Sequence, residues 1–268
     1  LNKNSTNLSE YDLNKETPIK YDNEKLIAYK KFYGVSLEEE VDVILPLAKL
    51  AVEGTGSMGD DTPMPVLSKQ SRSLYDYFRQ QFAQVTNPPI DSLRETSVMS
   101  LETCLGVERN LFDESSLHAG RLILDSPVLS NQVFKKLITY KKKGFSNDIL
   151  SLHYDKISDL EEAINTICDR AVRSVKKGNV LIILSDQDLN MDQLTIPAAM
   201  AVGAVHHRLI NEGVRCDCNI IVETASTWNS HHFAVLLGYG ASAVYPYLAF
   251  NIINDLIIRN SFCLLYKS

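Results

Sequence analysis

No apolar run in this 268-residue sequence reaches the ~18 residues that a membrane-spanning helix requires, and no basic-then-apolar signal segment opens it. Positive charge is not in excess either. A net charge of -6 and a pI near 5.6 exclude nucleic acid as the main partner, which would call for a basic surplus. The short Tyr140–Gly144 run "YKKKG" reads as a solvated turn. Cysteine is sparse: Cys104, Cys168, Cys216, Cys218 and Cys263 are scattered and odd in number, as expected of reduced thiols in a cytoplasmic setting rather than a disulfide framework. What remains, 45% hydrophobic and 22% charged, is the composition of a soluble globular protein. The length suffices for one full core, or for a main domain with a smaller attachment. The chain opens on Leu1 rather than Met, which suggests a piece of a longer polypeptide.

Residues 1–24 are rich in Asn, Lys and Glu and read as a loose lead-in or linker. Helical spacing then takes over in a part spanning about 25–118. In "SLEEEVDVILPLAKLAVEG", Ser36 and Glu39 have the spacing of a capping box, and Leu37, Val41, Ile44, Leu47 and Leu50 fall on one helical face. Gly54 can end that helix, and Pro46 inside it predicts a kink or break. "KQSRSLYDYFRQQFAQV" predicts an amphipathic helix with Leu74, Tyr77, Phe78 and Phe82 on one side, stopped by Pro88 and Pro89.

From about 119 to 260 the rhythm changes to short β-rich runs alternating with helices. "RLILDSP", "ILSLHY", "NVLIILSD", "CNIIVETA" and "ASAVYP" predict strands. Helices are predicted near Asn131–Thr139, in "SDLEEAINTICDRAVRSVKKG", in "IPAAMAVGAVHHRLINEG", in "SHHFAVLLGYG" and at Leu248–Ile258. Continuous apolar strands suit a parallel sheet covered on both faces. The fold class is therefore α/β, mainly parallel βα units, as a doubly wound sheet or a (β/α) barrel.

Chemistry-bearing residues cluster in three places. In "HHRLINEGVRCDCNIIVETASTWNSHH", two His–His pairs bracket Cys216 and Cys218. Adjacent helical residues point about 100° apart and Cys-x-Cys on a strand is no zinc turn, so packing and hydrogen bonding are expected there, with no metal. "GTGSMGDDTP" has glycines, but a helix precedes it and Asp60 and Asp61 follow, so it suits no phosphate. Ser185, Asp186, Glu223 and Thr224 stand at C-terminal strand ends, the edge where α/β folds build sites. No G-x-S-x-G elbow and no strand-end Lys accompanies them, so the catalytic set is incomplete and Glu223 is expected to cap the following turn.

The runs "GSMGDDTPMPVLS", "LYDYFRQQFAQVTNPPIDSLRE", "LIILSDQ", "IPAAMAVGAVHHRLI", "RCDCNIIVETAS" and "HHFAVLLGYGASAVYPYLAF" together resemble the central domain of the glutamate synthase large (alpha) subunit, in wording closest to bacterial versions. The likeness runs from about Leu26 to Phe250 and assigns 25–268 to that domain. It implies a topology related to a degenerate (β/α) barrel. It also implies a parent enzyme that makes glutamate from glutamine and 2-oxoglutarate. There, a glutaminase domain with a leading cysteine releases ammonia, and a later barrel with FMN and an iron-sulfur cluster consumes it. The partners implied are those two domains in the same polypeptide and a small NADPH-oxidising subunit, with no nucleic acid and no membrane. In this chain the start "LNKNSTNLSEY" has no such cysteine and the clustered cysteines of an iron-sulfur centre are lacking, so no catalytic, cofactor or metal residue is expected. By resemblance this domain contributes wall to an ammonia tunnel, with Met58 and Thr86 as the candidate residues. A pliable thioether and a hydroxyl that both donates and accepts suit that role. The rival expectation is an independent barrel-like enzyme using Glu223, Asp186 and nearby histidines, and a third is a module that docks proteins.

Overall fold

A computed structural model describes residues 5–8, 21–54, 67–69, 72–78, 93–94, 99–140, 144–190 and 192–259. A two-residue strand, β1 (Thr6–Asn7), leads to helix α1 (Asn23–Tyr33). The α1 boundaries follow from local chemistry: Asp22 accepts from the Lys25 amide at 2.7 Å, and Gly34 leaves the helix at φ 73°. The next helix begins as the capping-box spacing requires, with Ser36 Oγ accepting from the Glu39 amide at 3.2 Å. It then widens to i→i+5 bonding over Glu39–Ile44 and resumes as α2 (Leu45–Leu50).

Pro46 thus does not break the helix. The wide turn directly ahead of it absorbs the missing amide donor. The extra residue also shifts the helical phase, so Leu37 and Val41 no longer share a face with Leu47 and Leu50. Of the five residues expected on one face, Ile44 alone is buried, and Leu37, Val41 and Leu50 are exposed. The end comes at Ala51, in left-handed conformation at φ 52°, rather than at Gly54.

The helix expected over "KQSRSLYDYFRQQFAQV" is a single 3-10 turn, Leu74–Tyr77, within the described residues; Phe78 is extended. Ser73 caps it, and its buried residue is Tyr75 rather than Tyr77. Tyr75 is drawn inward by a long-range aromatic contact that no local periodicity encodes.

Strands β2 (Thr103–Leu105) and β3 (Leu122–Leu124) pair antiparallel, and β1 pairs β3 in parallel to complete a three-stranded sheet. Helix α3 (Asn131–Thr139) follows. Then come β4 (Asn147–Ser151), β5 (His153–Asp155), α4 (Leu160–Lys176), β6 (Leu181–Ser185), β7 (Gln193–Thr195) and α5 (Ala198–Asn211). The chain continues through β8 (Asn219–Glu223), α6 (Ser230–Gly238), β9 (Ala243–Tyr245) and α7 (Tyr247–Ile258). Strands β4, β6, β8 and β9 form one parallel sheet in that order, and β5 and β7 a small antiparallel ribbon. Val128 extends the parallel sheet past β9 by a bridge to Val244. No strand pairs the free edge of β4 among the described residues, so the βα units form an open sheet there rather than a closed barrel.

The period of two along the strands divides the core. Ile182, Leu184, Ile220, Val222 and Val244 face α4, α5 and α6. Leu181, Ile183, Ile221, Ala243 and Tyr245 face the opposite way, onto α7, α1, α3 and the three-stranded sheet. Both faces are covered, as the unbroken apolar strands require.

Candidate functional site: the C-terminal strand edge

Register places the polar residues at this edge. Ser185 and Glu223 are directly paired at the ends of β6 and β8, so their side chains share one face; Asp186 and Thr224, one residue on, share the other. Two hydrogen bonds result. Ser185 Oγ donates to Glu223 Oε2 at 2.6 Å, and Thr224 Oγ1 donates to Asp186 Oδ2 at 2.5 Å. Asp186 Oδ1 also accepts from the Ala225 amide at 2.9 Å. The turn after β8 is therefore capped by Asp186 from the neighbouring strand, not by Glu223 as expected. Ser185 Oγ additionally accepts from the Gln187 amide at 3.2 Å, which leaves it engaged on both sides.

Burial sets the proton affinity of both acids. It pushes Asp186 up to about 6, against the opposing bonds from Thr224, Tyr247 and Ala225. It pushes Glu223 up to about 7, against the Ser185 bond, with the Asp186 charge adding to the rise. The Asp186 carbonyl is held by Tyr247 Oη at 3.0 Å and Tyr33 Oη at 3.4 Å. Beside it, His153 donates from Nε2 to the Gln187 carbonyl at 2.9 Å, while Nδ1 meets Thr195 Oγ1 at 2.8 Å.

A cleft of about 1230 Å³ opens next to this edge, between Tyr33, Glu39 and Arg72 on one side and Pro197–Ala199, Trp228 and His231 on the other. Its floor is aromatic. Tyr75 stacks on His232 with ring centroids 4.3 Å apart, and Trp228 meets the same imidazole edge-on at 4.8 Å. Trp228 Nε1 donates to Glu39 Oε2 at 2.8 Å, His231 Nε2 donates to the Tyr75 carbonyl at 2.9 Å, and Tyr75 Oη meets Thr227 Oγ1 at 3.2 Å. Burial, then the neighbouring His231, pushes His232 down to about 3, so it packs as a neutral ring.

The His/Cys stretch divides between two ends of the sheet. His206 and His207 lie late in α5 near the start of β8, whereas His231 and His232 open α6 at its far end. The five residues of β8, about 16 Å at 3.3 Å each, separate them, too far for one ion. Each pair has its own work. Arg215 Nε donates to His206 Nδ1 at 3.0 Å, and His207 Nδ1 donates to the Gly203 carbonyl at 2.8 Å. Cys216 belongs to a 3-10 turn, Arg215–Asp217, and Cys218 precedes β8 rather than sharing a strand face with it. Among the described residues no three His, Cys, Asp or Glu side chains group as metal ligands.

Sequence reasoning thus located Ser185, Asp186, Glu223 and Thr224 but missed Glu39, Tyr75, Trp228 and His232 as members of the same region. Glu39 had a sufficient local explanation in the capping box. Tyr75 lay off the face that helical spacing selected. Met58 and Thr86, with Asp60 and Asp61, lie outside the described residues.

Residues 28–266 match the family model of the glutamate synthase central domain. The chain is 42% identical over 231 residues to a ferredoxin-dependent glutamate synthase of Pyropia yezoensis, covering 85% of this chain and 15% of that protein. It is 41% identical over 232 residues to ferredoxin-dependent glutamate synthase 2 of Synechocystis sp., again covering 85% and 15%. To the glutamate synthase [NADPH] large chain of Bacillus subtilis it is 40% identical over 225 residues, 84% of this chain and 15% of that one. The chain therefore spans about 15% of the length of these relatives. It belongs to the glutamate synthase central domain family.

Proposed function

We propose that this chain is the non-catalytic central domain of a glutamate synthase large subunit, an oxidoreductase that makes glutamate from glutamine and 2-oxoglutarate. In this reading residues 25–268 are the domain and 1–24 its lead-in. The domain connects a glutaminase domain to an FMN domain that also carries an iron-sulfur cluster. It holds neither cofactor itself and acts in the cytoplasm. Met58 and Thr86 line the ammonia passage between the two centres. A closed passage matters because ammonia that reaches bulk water is protonated and ceases to be a nucleophile.

The observation that carries this reading is the family match over residues 28–266 of a chain that spans about 15% of its relatives. The strand edge supports it as well: Ser185, Asp186, Glu223 and Thr224 spend their hydrogen bonds on one another and on the backbone. The test is Thr86→Trp in the full large chain. Glutaminase activity should persist while glutamate formation falls several-fold and free ammonia appears. Hydrolysis and synthesis that stay in step after this change would remove Thr86 from the passage.

One observation favours a second reading, an enzyme acting at the strand edge: two buried carboxyls held near neutral beside a sizeable cleft. Crystals soaked with small anionic metabolites would separate the two. Ordered ligand against Asp186 supports the second; a cleft holding solvent alone supports the first.

A further inference from the structure

Strands β2 and β3 are joined by residues 106–121, whose ends are fixed side by side because Leu105 pairs directly with Leu122. This is an Ω-loop, a compact excursion with closed ends. Its backbone is bonded throughout. Gly106 donates to Asn219 Oδ1 at 2.7 Å, and Glu108 donates to the Cys216 carbonyl at 2.8 Å, anchoring the base to the entry of β8. Arg121 Nη1 donates to the Gly106 carbonyl at 2.9 Å and clamps the two ends. At the tip, the Asp113 amide donates to the Asn110 carbonyl at 3.0 Å and the Phe112 amide to Asn110 Oδ1 at 3.1 Å, a β-turn reinforced by an Asx-turn. His118 Nε2 then donates to the Asp113 carbonyl at 2.8 Å and braces that turn from behind.

The two central residues of this braced turn are Leu111 and Phe112, exposed by 92% and 94%, with Leu117 beside them at 58%. A loop held by its backbone has no internal need for these side chains. A bonded turn that presents two large apolar groups to water has the form of an interface anchor: little ordering entropy remains to be lost, and apolar area is ready to be buried.

We propose that the Leu111–Phe112 tip docks into an apolar pocket on another domain of the same large chain. The proposal rests on the reading given under Proposed function. Two observations select this occupant over others. The chain spans about 15% of its relatives, so most of the parent polypeptide lies beyond it and is held at high effective concentration by covalent linkage. Asp113 and Glu114 follow the tip directly, so the receiving pocket carries a Lys or Arg rim, and an anionic lipid surface is disfavoured. The anchor enters at the base of the parallel sheet, the end opposite the cleft, since Cys216 precedes β8.

The test uses the full-length large chain carrying Phe112→Cys, alkylated with a water-soluble maleimide and read at that position by peptide mass spectrometry. Labelling of the native enzyme should be at least about tenfold slower than after unfolding in urea, independent of protein concentration. Charge is tested separately. Leu111→Asp with Phe112→Asp should raise protease cleavage between domains while the flavin stays bound. Native labelling as fast as unfolded labelling overturns the proposal. So does protection that vanishes on dilution, which would assign the tip to a second copy of the chain. The outcome is separable from the tunnel reading: tip protection can hold while Thr86→Trp leaves coupling intact, and the reverse.

Discussion

At the scale of single residues, Glu223 and Asp186 tie stability to pH. Both are raised by burial, up to about 7 and about 6, so the fold favours their protonated forms. Their contribution is complete below the unfolded carboxyl range and is lost as pH climbs through 6 and 7. Urea unfolding should therefore give a stability lower at pH 8 than at pH 5 by on the order of 2–3 kcal/mol. Glu223→Gln should flatten the upper part of that slope, and equal midpoints in the unmodified protein at the two pH values would contradict the burial argument. Gly240 is the second sensitive point. Its φ of 112° is one that side chains rarely adopt, and a Cβ there would stand 2.3 Å from His206 Nδ1. Gly240→Ala should cost at least about 2–3 kcal/mol, read as a drop in melting temperature.

Between elements, Arg215 acts as a three-way tie. Nε reaches His206 on α5, Nη1 the Cys218 carbonyl at 2.8 Å before β8, and Nη2 the Gly240 carbonyl at 2.9 Å after α6. Arg215→Ala leaves those acceptors without their charged donor and should cost about 2–3 kcal/mol; Lys, lacking the planar fork, should recover little of it. A second tie is Lys30 on α1, whose Nζ lies 2.7 Å from Glu40 in the wide turn and 3.9 Å from Asp255 on α7. All three side chains are largely buried. Lys30→Met strands Glu40 inside the protein, and an unfolding free energy lower by about 3 kcal/mol is expected; an unchanged value would mean that water reaches the pair.

These elements also show how far local pattern carries. The helices and strands after residue 119 fall where period 3.6 and period 2 put them, because each βα unit buries a face defined by its own spacing. Asn131–Thr139 is helical over the range expected. The part before 119 was less legible. Its wide turn changes the helical phase, and Tyr75 is buried by His232, more than 150 positions away, rather than by its neighbours. The strand-edge polar set was visible for a similar reason: the ends of apolar strands can be read directly. Its internal pairing was not, since which residue of β6 faces which of β8 is a matter of register.

For the molecule as a whole, the purified chain should arrive without flavin absorbance and should neither hydrolyse glutamine nor form glutamate. A yellow preparation, or ammonia released from glutamine, would overturn the non-catalytic reading. No described helix is long and apolar enough to cross a membrane. By itself the sequence determined the βα alternation, the sheet buried on both faces, and the family to which the chain belongs, because long apolar runs and contiguous motifs are properties of order along the chain. Tertiary structure alone decided that the two His–His pairs stand at opposite ends of the sheet, that Asp186 rather than Glu223 caps the β8 turn, and that Leu111 and Phe112 face water. Those outcomes depend on strand register and on contacts between distant segments, which one-dimensional spacing does not contain.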